Sequence, residues 1–256
     1  MLNLVKAELY KCRKRAYTKI FLGVCAGIIL LFTIMMSVVQ SSMGFQVMTR
    51  SEILCVYTIC LIFGMYLAII TTDMVFSEEY KHGTLKNSVA FGYTRGQIYF
   101  ARLIAASIVM IVLALIIAVF CVVTCWIFFR PEDTDLAYTG YFFKAVGVLI
   151  PLWLSQVAIC VALWFNIKNA TFGAVVAFAY TAVLPSFLTM LYYITEKEIF
   201  YKIAELLPIK KAQAVQSLND ISQVSSLAGE FWVDGVCFFV IFALLGWLCF
   251  RKKEIK

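Results

Sequence analysis

Apolar residues run in six long blocks along this chain, at 20–39, 53–72, 103–129, 145–165, 170–194 and 232–250. An α-helix rises about 1.5 Å per residue, so about 20 residues cross a hydrocarbon core of about 30 Å. Each block meets or nearly meets that length. The pattern predicts an all-α polytopic membrane protein with six transmembrane helices, forming one domain over 20–250. The polar stretches between the blocks are short, which leaves no room for a separate soluble domain. The first block is longer than a signal-peptide core of about 7–15 residues and lacks a small-residue cleavage site, so it reads as a retained helix.

Three polar or amphipathic stretches break the apolar pattern. In 1–19, Leu2, Val5, Leu9 and Cys12 recur at spacings of three and four, with Lys6, Lys11, Arg13 and Lys14 largely on other faces. This predicts an amphipathic helix in the membrane interface; an ordinary basic topogenic stretch is the alternative. In 195–231, Ile199, Phe200, Ile203, Leu206 and Leu207 recur at helical spacing until Pro208, which predicts one or two short surface helices. The segment 77–102 is a polar island between two apolar blocks. Thr84 is a fair N-cap for a helix over 84–91, in which Leu85 and Val89 share a face, and Gly92 is placed to end it. Thr94-Arg95-Gly96-Gln97 then matches the capping box S/T-x-x-E/Q and predicts a fresh helix start. The residues 130–144 read as an outer loop opened by an Arg-Pro stop. Pro185 is expected to kink the fifth block, and Gly23-x-x-x-Gly27 could support a close helix contact.

Composition agrees: 63% of the 256 residues are hydrophobic and 14% charged, against about a quarter charged in soluble domains. With six spans, both termini share a side with 77–102, and that side holds fifteen of the 22 Lys and Arg residues. The positive-inside rule makes it cytoplasmic and both termini with it. The net charge of +7 then reports topology and contact with anionic membrane lipid, and no nucleic-acid partner is expected. The nine cysteines form no CxxC and no Cys/His cluster, so they read as small core- or lipid-facing residues and no metal site is expected.

Candidate chemistry is sparse. No ionisable residue occupies a span centre; Asp73 and Asp234 fall near span ends and read as interfacial. That argues against an ion-coupled transporter. The single histidine, His82, excludes an HExxH metalloprotease. The pair Glu78-Glu79 alone does not make an intramembrane protease, and no G-x-S-x-G elbow or G-x-x-x-x-G-K-[ST] phosphate loop occurs. If the protein uses ATP, another chain must bind it.

Glu79-Tyr80-Lys81-His82-Gly83-Thr84-Leu85-Lys86-Asn87, followed by Gly92-Tyr93-Thr94-Arg95 and Gln97-Ile98-Tyr99, resembles the signature region of bacterial type-2 ABC transporter permeases. Glu8 and Lys11 near the N-terminus and the ending Phe250-Arg251-Lys252-Lys253-Glu254 are similar to that family too. The short six-span form resembles permeases of lantibiotic-type antimicrobial-peptide immunity and export systems. The resemblance implies a multi-pass subunit of the bacterial plasma membrane. It implies partnership with a second permease subunit, as a homo- or heterodimer, and with an ABC ATPase subunit that would bind ATP and Mg2+; this chain would hold no cofactor and catalyse nothing itself. It further implies that 77–102 is the coupling segment, with Glu79, Gly83, Thr84, Leu85 and Arg95 as its contacts to the ATPase. Gly96 replaces the basic residue more usual after the arginine. The expected activity is export of an amphipathic peptide, drug or lipid-like molecule. The alternatives are an intramembrane hydrolase and a non-transporting sensor or immunity partner.

Overall fold

The computed structural model describes the chain except residues 44–47, 83–91, 168, 217–220 and 253–256; the side chains of 40–43, 77–82, 170, 216 and 221–225 lie outside the description as well. The described residues are helical almost throughout. In order they form α1 (Leu2–Lys14), α2 (Ala16–Met43), α3 (Arg50–Cys60), α4 (Phe63–His82), α5 (Arg95–Phe128) and α6 (Asp135–Asn166). There follow α7 (Ala170–Phe178), a π-helical turn (Ala179–Val183), α8 (Leu184–Thr195), α9 (Glu198–Leu206), α10 (Pro208–Gln216) and α11 (Ile221–Lys252). Five helices or helix runs are long and apolar enough to cross a membrane, and six if the bent pair α3 and α4 counts as one span.

α6 is the centre. It is the most buried of these spans and packs against α3, α4, α5, α7, α10 and, most extensively, α11. Two glycines let α11 come close. A Cβ on Gly235 would sit 2.6 Å from the Pro151 carbonyl carbon, and one on Gly246 would sit 2.5 Å from Ala162 Cβ. These glycines are eleven residues apart, about three turns, so they line one stripe of α11. Gly23 and Gly27 play no such part: nothing lies within 4 Å of where their Cβ atoms would be. α2 packs Phe21, Ile29 and Phe32 against the bundle and exposes Ile20, Val24, Ile28 and Leu31 on one face, an apolar stripe suited to lipid.

Several boundaries differ from the hydropathy blocks. The second block is not one straight helix: α3 and α4 meet at a 55° bend. No proline causes it. Leu61, Gly64 and Met65 donate their N–H groups three residues back instead of four, tightening the joint. The Trp153 indole then occupies the space a Cβ on Gly64 would need. The expected loop 130–144 is helical from Asp135 onward, because Tyr141 and Phe142 bury one face, on which the buried Asp135 is paired with Arg50, while Lys144 stays exposed. Pro185 is preceded by a π turn, in which the Leu184 N–H reaches five residues back to Ala179 O. Proline offers no N–H to the carbonyl four residues earlier, and the wider turn accommodates that gap. Two short helices, α9 and α10, occupy the stretch before α11.

α1 is the amphipathic N-terminal helix that the periodicity predicts. Its face of Val5, Glu8 and Cys12 is buried against the bundle, chiefly α5, while Leu2 is exposed. It is a docked element rather than one whose apolar side faces lipid.

Candidate functional site

Helix α1 and the last described turn of α11 lie at one end of the bundle, here called the basic end, where α4 ends and α5 begins. Its floor is aromatic. Phe165 at the end of α6 meets Phe250 of α11 at 4.5 Å between ring centroids, and Tyr99 of α5 and Phe76 of α4 at 5.0 Å each. One ring comes from each of four helices, so their ends are packed into a single unit. Edge and tilted contacts of this kind add to burial through the ring quadrupoles.

Arg102 sits on that floor. It is 2% exposed, with its guanidinium 5.4 Å from the Phe76 ring centre and 5.5 Å from that of Phe165. A buried guanidinium needs compensation. Glu8 of α1, itself buried, is the acidic group acting on it electrostatically. Glu8 also pairs with Lys11 at 3.1 Å. The start of the chain is pinned further by Met74 O, which accepts from Arg15 and from Cys12 Sγ, the latter at 3.8 Å. Arg15 is extended, and Thr18 Oγ1 donates to Cys12 O at 2.8 Å across that break. Helix α1 is therefore joined both to the exit of α4 and to the entry of α5, the two flanks of the polar segment.

The entry to α5 has the expected capping box. Gln97 N donates to Thr94 Oγ1 at 3.3 Å, and Thr94 N donates to Gln97 Oε1 at 3.0 Å. Gly92 has φ of +86°, the left-handed region suited to a glycine stop. Arg95 donates to Arg251 O at 3.1 Å, tying α5 to the last turn of α11. Gly96 lies beside Trp247, whose Nε1 would be 3.3 Å from an added Cβ. The small residue at this position thus has a packing reason. Of the other expected contact residues, Glu79 falls in the last turn of α4 with its side chain outside the description, and Gly83, Thr84 and Leu85 lie outside the described residues.

The sequence model of one family, described as "ABC-2 family transporter protein", matches residues 4–194. The chain belongs to that family. The match begins within α1 and runs through the basic-end helices to α8, so this ABC-2 chain is a membrane component, a permease, of an ABC exporter. No curated protein matches it.

Two features of the permease escaped the sequence reading. At the end opposite the basic one, Arg50 of α3 pairs with Asp135 of α6 at 3.1 Å and donates to Phe129 O at 3.1 Å and Trp126 O at 3.0 Å, stacking 4.9 Å from the Trp126 ring. Ser51 donates to Glu132 alongside; with that bond as the main cause, the Glu132 carboxyl is held below its ordinary range. The signal was present, since Thr49-Arg50-Ser51-Glu52 has the capping pattern of Thr94–Gln97, and Thr49 N does donate to Glu52 Oε2 at 2.9 Å. The second feature is a cavity of about 450 Å3 beside the α3–α4 bend, lined among others by Phe32, Tyr57, Leu67, Ile117 and Trp153. Among the described residues no group of three metal-ligating side chains occurs.

Proposed function

We propose that this permease exports an amphipathic peptide, drug or lipid-like molecule, driven by ATP hydrolysis in a separate ABC ATPase, and that it works as a homo- or heterodimer. The basic end would face the bacterial cytoplasm, with ATP and Mg2+ held by the ATPase. The observation that carries the coupling is the aromatic floor with Arg102. Movement imposed on 77–102 would reach α4 through Phe76 and α5 through Tyr99, and from there α6 and α11 through Phe165 and Phe250. Glu79, Gly83, Thr84, Leu85 and Arg95 are the proposed contacts. The apolar cavity beside the bend supports a substrate with a large apolar part, because its walls offer little to an ion.

The experiment is reconstitution in proteoliposomes with a candidate ABC ATPase partner. The permease alone should hydrolyse no ATP. Glu79→Ala and Arg95→Ala should leave hydrolysis by the assembled pair within about threefold of wild type while lowering transport at least tenfold, about 1.4 kcal/mol of coupling. Undiminished transport after scrambling 83–91 refutes the coupling assignment.

A further inference from the structure

The joint between α3 and α4 borders a space that no described side chain fills. The cavity of about 450 Å3 beside it takes Tyr57 from one arm of the joint and Phe63 from the other, and Ile28 of α2, Ala118 of α5 and Trp153 of α6 complete its walls. Protein interiors keep few voids larger than a water, and an unfilled one costs stability in proportion to its volume. A space of this size calls for a guest, and it falls within the range of about 300–1,000 Å3 usual for bound small molecules. Water is a poor candidate, because a buried water takes two to four polar partners. The Tyr57 hydroxyl is already engaged, 2.6 Å from Thr33 Oγ1 of α2. The thiols of Cys25, Cys60 and Cys121 in the wall are weak partners. Trp153 Nε1 has no hydrogen-bond partner among the described residues, but it is a single donor. Large apolar cavities stay dry and take apolar guests.

The cavity is continuous with the lipid-facing surface. Ile28 is 62% exposed and Phe63 60%, and both line it. Phe63 also lines a groove between α4 and α7 in which Val175 and Phe178 are exposed, so its ring stands where two apolar recesses meet. Depth points the same way. Cys60, in the cavity wall, is ten residues from Arg50 at the start of α3, about 15 Å along the helix and halfway through a hydrocarbon core of about 30 Å. At that level the surrounding bilayer offers acyl chains and no headgroups.

We propose that an acyl chain of a bilayer phospholipid occupies this cavity in the resting permease, entering from the lipid between Ile28 and Phe63 and packing against both arms of the joint. The chain takes the place of the missing protein side chains on the inner side of the bend, so its presence bears on the angle between α3 and α4. This goes beyond the export reading and does not rest on it: the resting occupant is membrane lipid, whether or not a transported molecule later displaces it.

The test uses the full chain in nanodiscs of phosphatidylglycerol that carries a photoactivatable diazirine midway along one acyl chain. No ATPase and no transported molecule is present, so the outcome is separate from that of the export reading. After irradiation, lipid adducts are mapped by mass spectrometry. Lipid outside the bundle labels exposed residues such as Ile116 of α5. Lipid inside the cavity also labels Ala118, two residues further on but 2% exposed, and Trp153, 3% exposed. The expected result is labelling of Trp153 at least fivefold above that of Trp164, which is as deeply buried but does not line the cavity. Labelling of Trp153 no higher than that of Trp164 in the wild type overturns the proposal, whatever the variants do. Ala118→Phe, which puts a ring into the cavity, should lower Trp153 labelling at least fivefold and leave that of Ile116 unchanged. Ala114→Leu, a smaller filling of the same wall, should lower it in the same sense. Undiminished Trp153 labelling in a folded variant of either kind would mean that lipid reaches Trp153 by a route outside the cavity, and would also overturn it.

Discussion

Single residues decide how closely the helices approach. Gly246 has no room for a side chain, because Ala162 and the Tyr99 hydroxyl already occupy it. Gly246→Val should destabilise the permease by about 1–3 kcal/mol, as overpacking does, whereas Gly27→Ala should leave melting unchanged or slightly raised. Differential scanning fluorimetry in detergent separates the two. Spacing alone pointed to the wrong glycines here. A G-x-x-x-G pattern is visible on one helix, but the need for a small residue is set by the partner's surface, and Pro151 and Ala162 belong to a different helix from Gly235 and Gly246. Lys211 of α10 shows how charge acts near the surface. It pairs with Glu230 at 2.9 Å and with Asp234. Burial alone would depress its pKa, but bonds to Asp234 and Glu230 outweigh that and raise it. A raised lysine pKa adds stability that is complete below the unfolded value, about 10.5, and is lost as pH rises through the higher folded value. Lys211→Met should therefore cost about 1 kcal/mol at pH 7, and the gap to wild type should narrow only in strongly alkaline buffer, as followed by melting temperature against pH.

At the scale of elements, the apolar blocks gave the number of spans because the requirement is one of length and polarity. Their ends were less legible. Helices α5 and α6 begin several residues before their apolar blocks, since an amphipathic turn with one buried face does not raise local hydropathy. The 55° joint between α3 and α4 was not legible at all. The Trp153 indole packs against Gly64 at that joint and comes from a distant part of the sequence. The N-terminal helix was recognisable from its periodicity, yet its place was not, because the periodicity of a face is the same against lipid as against protein. Glu8 marks the difference, since a buried carboxylate next to Arg102 has no reason to face hydrocarbon. Glu8→Gln should lower stability by about 1–3 kcal/mol, because it removes a buried negative charge that acts on the Arg102 guanidinium, and Arg102→Met in that background should recover part of the loss. Hydrogen exchange of 2–14 should rise in the single variant and return toward wild type in the double.

For the whole molecule, the family match and the all-helical bundle agree on a membrane component of an ABC exporter. The motif residues that suggested the family are concentrated in 79–99, and among those that are described Gly92, Thr94, Arg95 and Gln97 hold the entry to α5 as their types require. What no single-chain pattern could reveal is the convergence of Phe76, Tyr99, Phe165 and Phe250 from four helices, because each looks like an ordinary apolar residue in its own block.

The joint at Cys60–Phe63 gives the two long routes through the bundle unequal stiffness. α6 runs from Asp135 to Asn166 as one continuous helix, with Pro151 inside it removing one rung of its backbone ladder, so a tilt applied at its basic end is carried along a single element. The α3–α4 route is hinged, with its backbone ladder tightened at Leu61 and Gly64 instead of carried straight through. A tilt applied to α4 is partly absorbed as a change of angle. Arg50 and Asp135 tie the hinged route to α6 at the far end, so a difference in tilt between the two is borne there by this ion pair together with the packing of α3 on α6.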